Sequence, residues 1–194
     1  MTMFDDVASA YDQGMQPLER LVFRRLRQRM IPRVRGDVLE LGTGTGINLP
    51  LYRPGAHVYA CDASKEMLAK AARRRSRVPV RLVRADVQRL PFPTGCFDAA
   101  TGSLVFCSVA DPVRGLVEAR RVLRPGGRLV LIEHTRGSGL GGWLTDMVQL
   151  LWRRWSRECH LNRETVLNVA KAGFTLQSVR QQALGIVQSI EAAK

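Results

Sequence analysis

The stretch V-L-E-L-G-T-G-T-G at positions 38–46 constrains this chain most: a short apolar run ends in three alternating glycines. Apolar runs of roughly four to eight residues bounded by glycine read as buried strands. Gly42, Gly44 and Gly46 allow a tight turn and let a ligand meet bare backbone, which a side chain would block. A helix expected over 45–51 would place free N–H groups behind them. The loop alone selects no ligand, because nucleotide sites of several kinds use one.

Further apolar runs predict strands at 37–41, 58–61, 80–84, 97–101 and 128–133. Helical periodicity falls between and before them. Residues 18–31 repeat Leu18, Leu21, Val22, Leu26 and Met30 on one face, 64–75 turn Met67, Leu68 and Ala71 inward, and 112–122 stop at R-P-G-G. Alternating strands and helices imply a parallel sheet covered on both faces, with right-handed crossovers. The tail breaks the pattern. A helix at 163–172 closes at Gly173, and strands at 174–181 and 185–190 flank a turn at 182–184 too short for anything but an antiparallel pair. The expectation is one α/β domain over 1–194: a helical cap (1–36), a ligand-binding core (37–134), a segment behind the G-S-G-L-G-G hinge (137–162), and a C-terminal helix and hairpin (163–194).

Charge and cysteine content narrow the class. The net charge of +13, nearly all arginine on the positive side, attracts phosphates of nucleic acid or anionic lipid, though charge alone names no partner. Cys61, Cys96, Cys107 and Cys159 lie far apart without a C-x2-C pair, so they are expected reduced, and no metal site is expected. No run reaches the roughly 20 apolar residues of a membrane span. The acidic start, M-T-M-F-D-D-V-A-S-A-Y-D, lacks an apolar signal core, which makes the cytoplasm the expected location, with peripheral membrane contact left open.

Several carboxylates sharpen the ligand. Glu40, two residues before Gly42, would repel a pyrophosphate and attract an ammonium, and S-adenosylmethionine carries both an α-ammonium and a sulfonium. Asp62 ends the second predicted strand about 20 residues after the glycine loop, where a carboxylate accepts both ribose hydroxyls. Met67 is a candidate cover for the adenine face. Asp86, at the end of the third strand, can accept from the adenine amino group while the Val87 N–H donates to the ring.

The series E-L-G-T-G-T-G, C-D-A-S-K-E-M-L, A-D-V-Q-R-L-P-F, F-D-A-A-T-G-S-L-V-F and R-V-L-R-P-G-G-R-L-V-L-I-E-H resembles the ordered motifs of class I S-adenosylmethionine-dependent methyltransferases. The resemblance implies a Rossmann-like, doubly wound seven-stranded sheet, mostly parallel with a C-terminal antiparallel hairpin, and S-adenosylmethionine as cofactor. It also implies that Tyr11, in F-D-D-V-A-S-A-Y-D, lies over the cofactor. Thr43, Asn48, Ala63 and Ser103, in or beside the motifs, complete the expected cofactor-binding set. V-F-C-S-V-A-D-P, L-I-E-H-T-R and E-C-H-L-N-R-E-T resemble a subgroup containing bacterial phosphatidylethanolamine N-methyltransferases and thiol methyltransferase-like proteins of animals, which shades into quinone-biosynthesis C-methyltransferases.

The acceptor side is read from residues 143–157. Trp143, Leu144, Met147, Val148, Leu151, Trp152 and Trp155 share one helical face, with Arg153, Arg154 and Arg157 off it. A roof over the sheet, a lid and a lipid-facing helix all fit that pattern. Trp143, Trp152, His134 and His160 are the candidate substrate contacts, the histidines also as bases. The expected chemistry is in-line attack on the sulfonium methyl by a small or amphiphilic acceptor, needing position and dryness more than acid–base help. A nicotinamide oxidoreductase is the rival enzyme, but G-T-G-T-G lacks G-x-G-x-x-G spacing. A basic nucleic-acid- or lipid-binding protein without catalysis, and an RNA methyltransferase, stand as alternatives.

Overall fold

The computed structural model describes residues 19–136, 139, 142–143, 145–147, 163–182 and 185–194. Tyr11, Trp152, Trp155, Cys159, His160 and most of the expected hinge and lid lie outside the described residues. The strands are β1 (Gly36–Leu41), β2 (Ala56–Asp62), β3 (Val80–Arg84), β4 (Phe97–Ser103), β5 (Leu123–His134), β6 (Thr175–Gln182) and β7 (Val187–Ala193). The labelled helices are α1 (Arg24–Met30), α2 (Lys65–Ala71), α3 (Pro112–Val122) and α4 (Thr165–Lys171).

The strands form one seven-stranded sheet in the order β3-β2-β1-β4-β5-β7-β6. The first five are parallel, and β7 runs antiparallel to both β5 and β6. The expected hairpin is present, with its second strand inserted beside β5. Side chains alternate across the sheet and separate two cores. Leu39, Leu41, Leu129 and Leu131 pack with α3 and α4 through Leu116, Ala119 and Val169. Val38, Val130 and Ile132 pack with α1 through Phe23, Leu26 and Met30. Strand order reverses between β1 and β4, and the crevice beyond the carboxyl ends of strands at such a point is where ligands bind in open α/β sheets.

One expected element is corrected. Residues 45–51 do not form an α-helix: 44–48 are turns, and only Leu49–Leu51 is a short 3-10 segment. Gly46 sits at φ +76, outside the helical region, and Pro50 has no N–H to donate. The glycine loop therefore has no α-helical N-terminus behind it. Other boundaries shift less. α1 follows a five-residue π turn and ends in a 3-10 segment carrying Pro32. α2 stops at Ala71, capped at its start by Ser64 Oγ, which accepts from Met67 N at 3.1 Å. α3 ends at Val122 as expected, but R-P-G-G lies within β5, where Gly126 at φ +74 and a register shift opposite Phe97 and Ala99 absorb it. No described helix is long and apolar enough to cross a membrane.

Candidate functional site

β1 carries Glu40 to the crevice with the same parity as Val38, so its carboxylate points to the α1 side of the sheet. It is 1% exposed. Asn48, from the turn after the glycines, donates Nδ2 to Glu40 Oε1 at 3.0 Å and to Ser103 Oγ at 3.2 Å. Asn48 Oδ1 accepts from Arg27 Nη1 at 2.8 Å, and Arg27 pairs with Glu19 at 3.1 Å. Burial pushes the Glu40 carboxyl up to about 7, against the opposing pull of Asn48, Tyr52 and Arg27 toward the ionised form. Glu40 Oε2 and Thr43 Oγ1 are buried and meet no hydrogen-bond partner among the described residues. A buried carboxylate oxygen without a donor is costly unless a ligand supplies one.

The glycines divide by what surrounds them. A Cβ on Gly42 would come within 2.8 Å of Val105, and one on Gly46 within 2.9 Å of Leu49. These two are held by packing against the protein itself. A Cβ on Gly44 would meet nothing within 4 Å, so Gly44 presents bare backbone to open space. Asp62 sets that backbone: Oδ2 accepts from Gly44 N at 2.8 Å and Oδ1 from Ser64 N at 2.9 Å. Arg74 braces the loop from α2's end by donating Nε to Thr45 O at 3.0 Å.

The remaining expected residues fall around this centre unevenly. Ser103, half-buried at the end of β4, joins Glu40 through Asn48. Ala63 follows Asp62 directly, and its carbonyl accepts from Arg84 Nε at 3.1 Å. Met67 is 2% exposed and Val87 6%, with Val87 in the α3-side core. Asp86 is exposed and folds over its own turn, accepting from Gln88 N at 2.8 Å. His134 is half-buried at the end of β5. Trp143, 57% exposed, belongs to the expected lid, and Met147 beside it is 51% exposed. The described residues do not bring these last three against Glu40.

Two participants were not singled out by the sequence. Arg27 looked like one more arginine on a basic helix, yet its side chain is buried and anchors Asn48. Glu133, in L-I-E-H-T-R, is fully buried, and its Oε1 accepts from Val105 N at 2.9 Å and Phe106 N at 3.1 Å. It thereby holds the turn that begins at Leu104, a non-glycine residue at φ +58. Among the described residues no group of His, Cys, Asp and Glu side chains could hold a metal ion.

The unpartnered Glu40 oxygen, the open face of Gly44 and the carboxylate of Asp62 fit a nucleoside ligand bearing an ammonium group. Known proteins resemble the chain over the segment that carries these residues. The methyltransferase domain family matches residues 39–131. The demethylmenaquinone methyltransferase of Clavibacter sepedonicus is 41% identical over 137 residues, covering 68% of this chain and 56% of the relative. That of Thermus thermophilus is 39% identical over 140 residues, covering 68% and 64%. The chain thus spans between about half and two thirds of the curated relatives it matches. A Haloferax volcanii methyltransferase, solved with the Trm112 activator, superposes with a TM-score of 0.81 at 19% identity, over 100% of this chain and 98% of that one. Such a likeness speaks to the fold. Residues 39–131 thus match the methyltransferase domain family, in agreement with the class I, S-adenosylmethionine-dependent resemblance of the motifs.

Proposed function

We propose that this protein methylates a small-molecule acceptor of the quinol type, with S-adenosylmethionine as the methyl donor. The observation that carries the cofactor assignment is Glu40: a buried carboxylate with one oxygen lacking a partner, at the carboxyl end of β1, beside the open backbone of Gly44. Glu40 would hold the ammonium group, Asp62 the ribose hydroxyls, and Asp86 with Val87 N–H the rim of the base. S-adenosylmethionine supplies a methyl group already activated on its sulfonium. The protein's own task is then to fix the acceptor in line and keep water out.

The acceptor class rests on the relatives, several of which are demethylmenaquinone methyltransferases aligned over about two thirds of this chain. A quinol ring carbon is a competent nucleophile: it takes the methyl group and then loses its proton. His134, half-buried at the end of β5, is the candidate to receive that proton. Purified protein incubated with labelled S-adenosylmethionine and a reduced demethylated naphthoquinone is expected to yield a ring-methylated product and S-adenosylhomocysteine. Turnover of other small acceptors but not of the quinol would overturn the acceptor class. Tight NAD binding with no heat from S-adenosylhomocysteine in calorimetry would overturn the cofactor.

A further inference from the structure

The positive charge is not spread along the chain. It carries 30 lysines and arginines against 17 carboxylates. Two runs, 20–36 and 67–85, hold fourteen of these cations and no aspartate or glutamate. All other positions together hold sixteen cations against all seventeen acids, a net of minus one. The whole excess of +13 therefore comes from two short runs.

The fold brings most of both runs to one side of the sheet, although Arg81, over the Tyr59 ring, turns to the other. Phe23, Leu26 and Met30 of the first, and Ala71 and Val78 of the second, enter the same core with Val38 and Ile132. With their apolar residues turned in, the runs expose arginines. Arg24, Arg25, Arg29 and Arg33 are exposed in the first, and Arg73, Arg75 and Arg77 in the second. None of the seven pairs with a carboxylate among the described residues. Arginines elsewhere do: Arg121 pairs with Glu118, Arg124 with Asp37 and Asp98, Arg128 with Glu191, and Arg136 with Asp146. Among the described residues, one face thus carries guanidinium groups without carboxylate partners, while other arginines are paired.

We propose that this face docks the protein onto an anionic lipid bilayer. A duplex nucleic acid is read by an element entering a groove, and α1, seven residues long, has its apolar side packed into the core. Single strands need aromatic platforms, and the aromatic residues of this core, Phe23 and Tyr52, are 3% and 0% exposed. A bilayer surface needs neither, only cations spread over a broad area. The face also connects to the cofactor crevice, because Arg27 of α1 turns inward to Asn48 and, through it, to Glu40.

The test is co-sedimentation of the full chain with phosphatidylglycerol-containing vesicles and with pure phosphatidylcholine vesicles, and, at the same ionic strength, anisotropy with labelled duplex and single-stranded RNA. Two triple variants remove charge from the face: Arg24→Gln, Arg25→Gln, Arg29→Gln, and Arg73→Gln, Arg75→Gln, Arg77→Gln. A control triple, Arg114→Gln, Lys171→Gln, Arg180→Gln, removes equal charge at exposed positions on α3, α4 and β6. Binding is expected only to the anionic vesicles, weakened by salt, reduced roughly a hundredfold by each face triple and less than about threefold by the control. Equal loss in the control would show bulk charge at work and overturn the proposal. So would RNA binding without vesicle binding, or absence of vesicle binding by wild-type protein at low salt. Circular dichroism melting confirms that each variant is folded, and S-adenosylhomocysteine calorimetry on wild type tests the methyltransferase reading independently of the lipid result.

Discussion

Glu40 combines two costs that only a ligand relieves: burial away from water and an oxygen without a donor. Its carboxyl titrates at about 7 in the fold against 4.5 ordinarily, so the folded state holds a proton that the unfolded state has already released. Its contribution to stability is greatest below pH 4.5 and is lost as pH rises to about 7, a difference of roughly 3 kcal/mol. Glu40→Gln keeps an oxygen to accept from Asn48 Nδ2 and removes the titration. The variant is expected to match wild type in denaturant melts near pH ~4.5 and to exceed it by up to roughly 3 kcal/mol near pH ~8. Cofactor affinity should move the other way. In wild type it should rise between pH ~6 and ~8 as Glu40 ionises to meet the ammonium, and in Glu40→Gln it should be weak and flat across that range, by calorimetry. The glycines give a second contrast at this scale. Gly44→Ala meets only the penalty of φ +55, about 1–2 kcal/mol, whereas Gly42→Ala adds a clash with Val105 to the same kind of backbone strain. Gly42→Ala should therefore lower the melting temperature more, while both variants test which backbone faces the cofactor.

At the scale of elements, the turn after β4 depends on a residue far from it in sequence. Glu133 Oε1 accepts two backbone N–H groups, from Val105 and Phe106, in a site without water access. Glu133→Ala would orphan both donors, and a cost of about 2–5 kcal/mol is expected in urea melts. Glu133→Gln retains an acceptor, and because burial already raises the Glu133 carboxyl above the usual range, it should cost far less near pH ~7. Equal destabilisation by both variants would show that charge, not the acceptor, holds the turn. This interaction was not legible in the sequence, since the motif L-I-E-H-T-R marks a strand end without saying where its glutamate points. The strands were legible because β1 to β5 are short apolar runs punctuated by glycine and proline, and period and length suffice for such segments. The segment at 45–51 was misread for a physical reason: its apolar spacing suits a helix, but Gly46 at positive φ and Pro50 without an N–H leave only successive turns. The carboxylates of the candidate site could be singled out because they sit at strand ends: Glu40 near the end of β1, Asp62 at the end of β2 and Asp86 just past β3. Arg27 could not, because nothing local separates the one arginine of α1 that turns inward from those that face solvent.

Across the whole molecule, the last strand is the one that closes the sheet. β7 pairs with β5 from Arg128↔Ala193 to His134↔Val187, and with β6 along its other edge. Among the described strands β6 pairs with β7 alone, so its place in the sheet depends on β7. Lys194 adds to the closure: its N donates to Gly127 O at 3.0 Å, and its Nζ donates to Leu123 O at 2.6 Å, at the point where β5 leaves α3. The core buries Ile190 and Ala192 at 0% exposure beneath α3 and α4. Truncation after Gly185 would thus expose the edge of β5, free β6 and α4, and uncover part of that core. Such a chain is expected to lose cooperative unfolding altogether, whereas removal of Lys194 alone should cost no more than roughly 1–3 kcal/mol for its hydrogen bonds. Because β7 pairs inside the sheet with β5, far earlier in the sequence, its contacts are long in sequence, and refolding should be limited by its docking. Hydrogen exchange during refolding distinguishes the cases. Amides of β1, β2 and β4 should be protected before those of β7 and β6, and simultaneous protection of all seven strands would show that the parallel half does not form ahead of the hairpin.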